Sequence, residues 1–147
     1  MSAAPDNQAL TGGCMCRAVR YRATGKPLWV VHCHCTDCRR AAGMPFATWV
    51  GYRAEQVSFD DETRRRRHAS SPGVIRTFCN LCGTPLSFES DKFPGELHIM
   101  AGTLDEPAKV TPTHHVWTDE AVPWALPDDG LKRRPGGPTM KTSGATS

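Results

Sequence analysis

Apolar residues in this chain come in short runs. Val19, Tyr21 and Ala23 alternate with Arg20 and Arg22, the pattern of a strand with one face in water. Leu28 to Val31 and Ala47 to Tyr52 are short and rich in aromatic or β-branched residues, which fit a pleated surface. Val57-Ser58-Phe59, Val74 to Phe78, Leu86 to Phe88 and Leu97 to Met100 follow, separated by turn-forming Gly, Pro, Asp and Asn. One short helix is predicted after Thr36, with Thr36 as its cap and Gly43 as a stop before Pro45. The pattern predicts a small, mainly β fold of short antiparallel strands with little helix.

Composition agrees. With 13 Gly and 12 Pro in 147 residues and no long apolar periodicity, many short strands and turns are favoured over a helical bundle. The length suits one domain with one moderate core. Residues 1–11 read as a flexible leader and 12–131 as a single zinc-binding domain. Residues 132–147, with Pro135-Gly136-Gly137-Pro138 and a Ser/Thr/Gly ending, read as a disordered tail. The first ten residues carry no secretory pattern, and no apolar segment approaches the roughly 20 residues that cross a bilayer. An odd cysteine count of seven argues for reduced thiols in a cytoplasmic setting over a disulfide framework.

Those seven cysteines change the picture most. They stand in three clusters: Cys14-Met15-Cys16, Cys33-His34-Cys35-Thr36-Asp37-Cys38 and Cys79-Asn80-Leu81-Cys82. Spacings of one and two residues let neighbouring sulfurs converge on one metal ion. Seven divides into four plus three. Cys14, Cys16, Cys79 and Cys82 are the best set for a closed structural zinc site, with Gly12-Gly13 and Gly83 allowing backbone amides to approach the sulfurs. Cys33, Cys35 and Cys38 form the second set and leave one side of a zinc ion open. A fourth ligand from His32, His34, His98 or His115 would close it and make it structural. Three thiolates on Zn²⁺ make a poor Lewis acid and suit the activation of an incoming thiol more than the generation of hydroxide. Iron–sulfur clusters use four-cysteine runs of different spacing. The formal charge of +3 nearly vanishes once seven thiolates and two zinc ions are included, so it implies no basic surface.

The motifs resemble a known family. Gly12-Gly13-Cys14-Met15-Cys16-Arg17-Ala18-Val19-Arg20-Tyr21 is similar to the opening motif of the glutathione-dependent formaldehyde-activating family, which also includes centromere protein V. The resemblance continues through His32 to Arg40, Gly43-Met44-Pro45-Phe46, Phe78 to Leu86, Gly102 to Pro107, His115 and Trp124. It implies a β-tent fold around two zinc ions, Cys14, Cys16, Cys79 and Cys82 structural and Cys33, Cys35 and Cys38 catalytic. It also implies an activity like that of S-(hydroxymethyl)glutathione synthase. Arg17 departs from the pattern, since many relatives carry Gly there.

The expected function is therefore a zinc-dependent carbon–sulfur lyase or thiol-adduct-forming enzyme. Its partners would be a thiol such as glutathione, bound at the three-cysteine zinc, and a small aldehyde such as formaldehyde. His34 is a candidate proton carrier, His115 a candidate pocket residue, and Arg39 and Arg40 candidates for a substrate carboxylate. Phe46, Trp49 and Trp124 are candidate pocket walls or core, and Asp105 a turn residue. Arg64 to Arg67 follow the acidic Asp60-Asp61-Glu62 and read as a solvated hairpin, not a nucleic-acid site. Neither a nucleic acid nor a membrane is an expected partner. Two rival readings are a non-enzymatic zinc module binding protein or nucleic acid, and an enzyme of the same fold acting on another sulfur compound.

Overall fold

The computed structural model describes residues 9–137. They contain eleven strands: β1 (Leu10–Gly13), β2 (Arg20–Ala23), β3 (Trp29–Cys33), β4 (Ala47–Arg53), β5 (Val57–Phe59), β6 (Arg65–Ser71), β7 (Val74–Cys79), β8 (Pro85–Ser90), β9 (Glu96–Met100), β10 (His114–Val116) and β11 (Lys132–Arg133). Among the described residues the one α-helix is α1 (Thr36–Ala42), and no helix is long and apolar enough to cross a membrane. The protein is mainly β with little helix, as the residue pattern predicts. The described residues group into two compact units, one holding 9–30 with Thr48–Thr111, the other Val31–Ala47 with 112–137.

In the first unit β1, β2 and β5 form an antiparallel sheet in which Tyr21 faces both Gly12 and Phe59. The alternation in β2 works as predicted: Tyr21 and Ala23 are buried while Arg22 is exposed. Strands β4, β9, β8, β7 and β6 pair antiparallel in that order. The core joins Tyr21, Ala23, Val30, Val50, Tyr52, Leu97, Ile99, Ala101 and Leu104. Gly51 belongs to β4 because the Trp29 ring fills the space its side chain would need.

In the second unit pairing turns parallel. β10 lies between β3 and β11, with His115 level with His32 on one side and Arg133 on the other. Backbone bonds lengthen the seam: His34 N donates to Val116 O, Arg134 N to His115 O, and Trp117 N to Gly136 O.

Seven of the strands match predicted ones within a few residues. β1, β6, β10 and β11 were not expected, and two of them move the proposed boundaries. β1 begins at Leu10, so residues 10 and 11 belong to a sheet and not to a leader. β11 and the bonds of Arg134 and Gly136 tie down the start of the expected tail, because its backbone groups find partners on β10 and Trp117. The remainder of both segments, residues 1–8 and 138–147, lies outside the described residues.

Candidate functional site

The first unit brings Cys14, Cys16, Cys79 and Cys82 together, with all four sulfurs within 4.8 Å of one another. Cys14 and Cys16 Sγ are 3.6 Å apart, and Cys16 and Cys79 Sγ 3.8 Å. A tetrahedron with metal–sulfur bonds of about 2.3 Å has edges of about 3.8 Å, so the cluster has the dimensions of a four-thiolate metal site. Backbone amides stabilise the sulfurs: Val19 N points at Cys14 Sγ at 3.2 Å, and Leu81 and Cys82 N at Cys79 Sγ at 3.3 and 3.5 Å. Gly83, at φ +81°, makes the turn after the second pair. Gly12 and Gly13 serve differently from the expected approach of amides to sulfur. They sit in β1, where Tyr21 and the Val19 carbonyl pass too close for a side chain. Thr84 joins the two cysteine pairs: its Oγ1 accepts from Met15 N at 3.1 Å and lies 3.1 Å from Cys82 Sγ. Bonds from the Thr84 hydroxyl and backbone bring the Cys82 thiol down to about 5, so it favours the thiolate that a metal needs.

The second unit brings Cys33, Cys35 and Cys38 within 4.8 Å of one another. Cys33 ends β3, and α1 begins two residues later. The helix is capped by Cys35 and not by Thr36, because Cys35 Sγ accepts from Cys38 N at 3.3 Å. The first helical turn thus sets the spacing of two sulfurs. Thr36 is held from outside, its N and Oγ1 both donating to Glu120 Oε1 at 2.8 and 3.1 Å. Gly43 ends the helix in the left-handed region, φ +67°, as predicted. Contact with the Cys35 and Cys38 sulfurs pushes the Cys33 thiol far up, whereas contact with Cys33 and Cys38 pushes Cys35 far down. Negative charge is crowded here, and a cation would relieve it. Among the described residues no histidine or carboxylate joins these three sulfurs in a common group.

Around His34 the unit builds a chain of polar side chains. His34 and His115 are fully buried. His34 Nε2 lies 2.8 Å from His115 Nδ1, and His115 Nε2 lies 3.2 and 3.0 Å from the two carboxylate oxygens of Asp129. Phe46 packs on His34 at 4.8 Å between ring centroids, and His32 on His115 at 4.8 Å. Burial, then the nearby His115, lowers His34 to about 4 and shifts His32 the same way. His32, His115 and Asp129 themselves place ligand atoms within 4.8 Å of one another. Asp129 was not anticipated, because Pro127-Asp128-Asp129-Gly130 reads as an ordinary turn. The turn is present, with Leu131 N donating to Asp129 Oδ1 at 3.1 Å.

Other predicted residues are placed elsewhere. His98 bonds to Glu96 at 2.9 Å among Trp29, Phe88 and Phe93, which makes it part of the first unit's packing. Trp49 is core and packs on Phe88, whereas Trp124 is exposed. On α1, Arg40 is exposed and Arg39 Nη2 donates to Thr36 Oγ1 at 3.3 Å. Within the arginine run, Arg65 is buried over Phe59 and pairs with Glu62, and Arg67 pairs with Glu89. Asp105 does more than shape a turn: it holds Arg20 through both carboxylate oxygens and accepts from Thr11 Oγ1 at 2.6 Å.

The sequence profile of the glutathione-dependent formaldehyde-activating enzyme family matches residues 9–120. An uncharacterised lyase of Schizosaccharomyces pombe is 32% identical over 77 residues, 52% of this chain and 55% of that protein. The match thus spans about half of that relative's length. A Halomonas elongata protein bearing the family's name is 28% identical over 130 residues, covering 78% of each chain. The crystal structure of a Rhodobacter sphaeroides protein has the same fold, with a TM-score of 0.58 at 18% identity, over 84% of this chain and 98% of that one.

Proposed function

The chain belongs to the glutathione-dependent formaldehyde-activating enzyme family, and from that premise we propose that it is a carbon–sulfur lyase or thiol-adduct-forming enzyme with two zinc ions. The observation that carries this reading is a three-thiol cluster grouped with no other ligand atom of the described residues, in a chain that has a separate four-thiol cluster. Cys14, Cys16, Cys79 and Cys82 would hold one zinc as a structural tie. Cys33, Cys35 and Cys38 would hold the other, with a position left for a substrate thiol. The donor sets fit: all-sulfur clusters, the four-thiol one with edges of tetrahedral length, suit zinc. When bound, the second zinc lowers the pKa of a thiol while its sulfur stays nucleophilic.

The chain's own residues supply the rest. Cys35 and Cys38, set by the first turn of α1, fix where the thiol sits. Phe46 packs against His34 and fixes its ring. His34, between two of the cysteines, carries a proton. In the synthetic direction the thiol sulfur forms a bond to the aldehyde carbon, the carbonyl π bond breaks, and the thiol proton ends on the new hydroxyl. The reverse step is the lyase reaction. The step needs no oxidant or reductant. The thiol is read as glutathione and the aldehyde as formaldehyde, from the family.

The test is turnover of glutathione with formaldehyde above an enzyme-free background, followed by other thiols, aldehydes and S-substituted glutathiones. Cobalt substitution adds an independent readout. A thiol that binds the second metal should change its visible spectrum, and a panel inert in both assays would sink the proposal.

A further inference from the structure

The chain from Asp129 through His115 to His34 has a direction. An ionised carboxylate only accepts hydrogen bonds, so the 3.0 Å contact makes His115 Nε2 the donor. A neutral imidazole carries one N–H, which leaves His115 Nδ1 as an acceptor. The 2.8 Å contact between His115 Nδ1 and His34 Nε2 then makes His34 Nε2 the second donor. His34 Nδ1 is left as a bare lone pair, buried and without a hydrogen-bond partner. An unsatisfied buried acceptor costs about 1–3 kcal/mol, and such groups concentrate where a protein has a use for them.

The anchoring is thorough. Asp129 is fixed by the amide of Leu131. His115 is held in β10 by pairing on both sides, and its carbonyl accepts from Arg134 N. The backbone of His34 is tied to Val116 O, and its ring is packed against Phe46. Far less would suffice to fill a core, since an apolar residue at either histidine position would avoid the buried polar atoms altogether.

We propose that Asp129 and His115 are positioning residues that lock His34 in its Nε2-protonated tautomer, leaving its buried Nδ1 as a hydrogen-bond acceptor. With both imidazoles neutral, the tautomer follows from the hydrogen bonds. That a donor on the ligand of the Cys33, Cys35 and Cys38 site, a thiol or the hydroxyl of a thiol–aldehyde adduct, uses this acceptor rests on the function proposed above.

The experiment uses the full chain as purified, with its metal, labelled with ¹⁵N-histidine. Long-range ¹H–¹⁵N correlation at pH 8 should show His34 and His115 both protonated on Nε2, with His34 Nδ1 pyridine-like. Asp129→Ala should spread His34 over both tautomers. With the active thiol–aldehyde pair it should lower kcat by about a hundredfold, the scale of loss for a misplaced reacting group. The thiol KM and metal content should hold. Asp129→Asn keeps a carbonyl oxygen that can accept from His115 Nε2 and should recover most of that loss together with the tautomer. A wild-type His34 protonated on Nδ1 overturns the proposal with no variant needed. So does an Asp129→Ala protein with its His34 tautomer unchanged, or one whose activity falls only because metal is lost. If no thiol–aldehyde pair turns over, the functional reading falls, and the tautomer of His34 still decides this one.

Discussion

Arg17 sits at φ +69°, in the left-handed region that favours glycine. Its position is set by the turn of the first cysteine pair, where Arg17 N donates to Cys14 O at 3.0 Å. The left-handed conformation costs an L-residue about 1–2 kcal/mol. Glycine gives back roughly 0.5–1 kcal/mol through its greater freedom in the unfolded chain. Arg17→Gly should therefore raise stability by about 0.5–1 kcal/mol, read as a shift in denaturant midpoint at constant metal content. A lower midpoint would mean that the turn is not strained. Asp105 gives a pH prediction. Its bonds to Arg20, then to Thr11, hold its carboxyl at about 2. A depressed carboxylate stabilises fully above the unfolded pKa near 3.9, and that contribution fades as pH falls toward the folded value. Asp105→Asn should thus cost the same at pH 7 and pH 5 and progressively less below about pH 4, in denaturant melts with excess metal. A cost that grows on acidification would show the sign to be wrong. Residues of this kind differ in legibility. The seven cysteines are readable because their spacing is itself the geometry, whereas Asp129 and His115 lie in separate segments that only the pairing of β10 brings to His34.

At the scale of elements, α1 depends on a residue far along the chain. Glu120 satisfies the Thr36 amide and hydroxyl at its first turn. Loss of a capping partner costs about 1 kcal/mol. Glu120→Ala should show that loss, and it should also loosen the segment that spaces Cys35 and Cys38. Metal bound there should exchange with a chelator faster than in the parent, while exchange at the four-thiol cluster stays the same. Equal acceleration at both clusters would mean that the substitution acts on the fold as a whole. The strands show what a sequence can announce. β2, β4, β8 and β9 bury apolar side chains, and burial writes period two or an apolar run. β6 carries Arg, His, Ala and Ser and is exposed at six of its seven positions, so its partner's backbone, not its side chains, makes it a strand. β11 is two basic residues against β10. Gly43 and the helix it stops were readable; the Cys35 cap was hidden because sulfur is not expected to do that work.

For the whole molecule, the proposed function gives the two thiol clusters different tasks, and their loss should separate. The four-thiol cluster ties β1–β2 residues to β7 and the turn that follows, with Cys16 and Cys79 separated by 63 positions in sequence. Closing a loop of that length is an entropic cost that a bound metal offsets, and structural zinc supplies roughly 10–16 kcal/mol in small peptides. Two of its cysteines, Cys14 and Cys79, also belong to a buried cluster with Val19 and Leu86, so the metal site and a part of the core adjoin. Cys82→Ser should therefore lose one metal and much of the folded signal in circular dichroism. The three-thiol cluster lies within a span of six residues, closes no long loop, and rests on a helix that is held independently by Glu120. Cys35→Ser should lose the other metal and all thiol-adduct turnover while keeping near-parental circular dichroism and a melt that still responds to chelator. Cys82→Ser that folds as well as the parent would remove the structural role. Cys35→Ser that unfolds would mean that both clusters are structural, leaving a two-metal binding module in place of an enzyme.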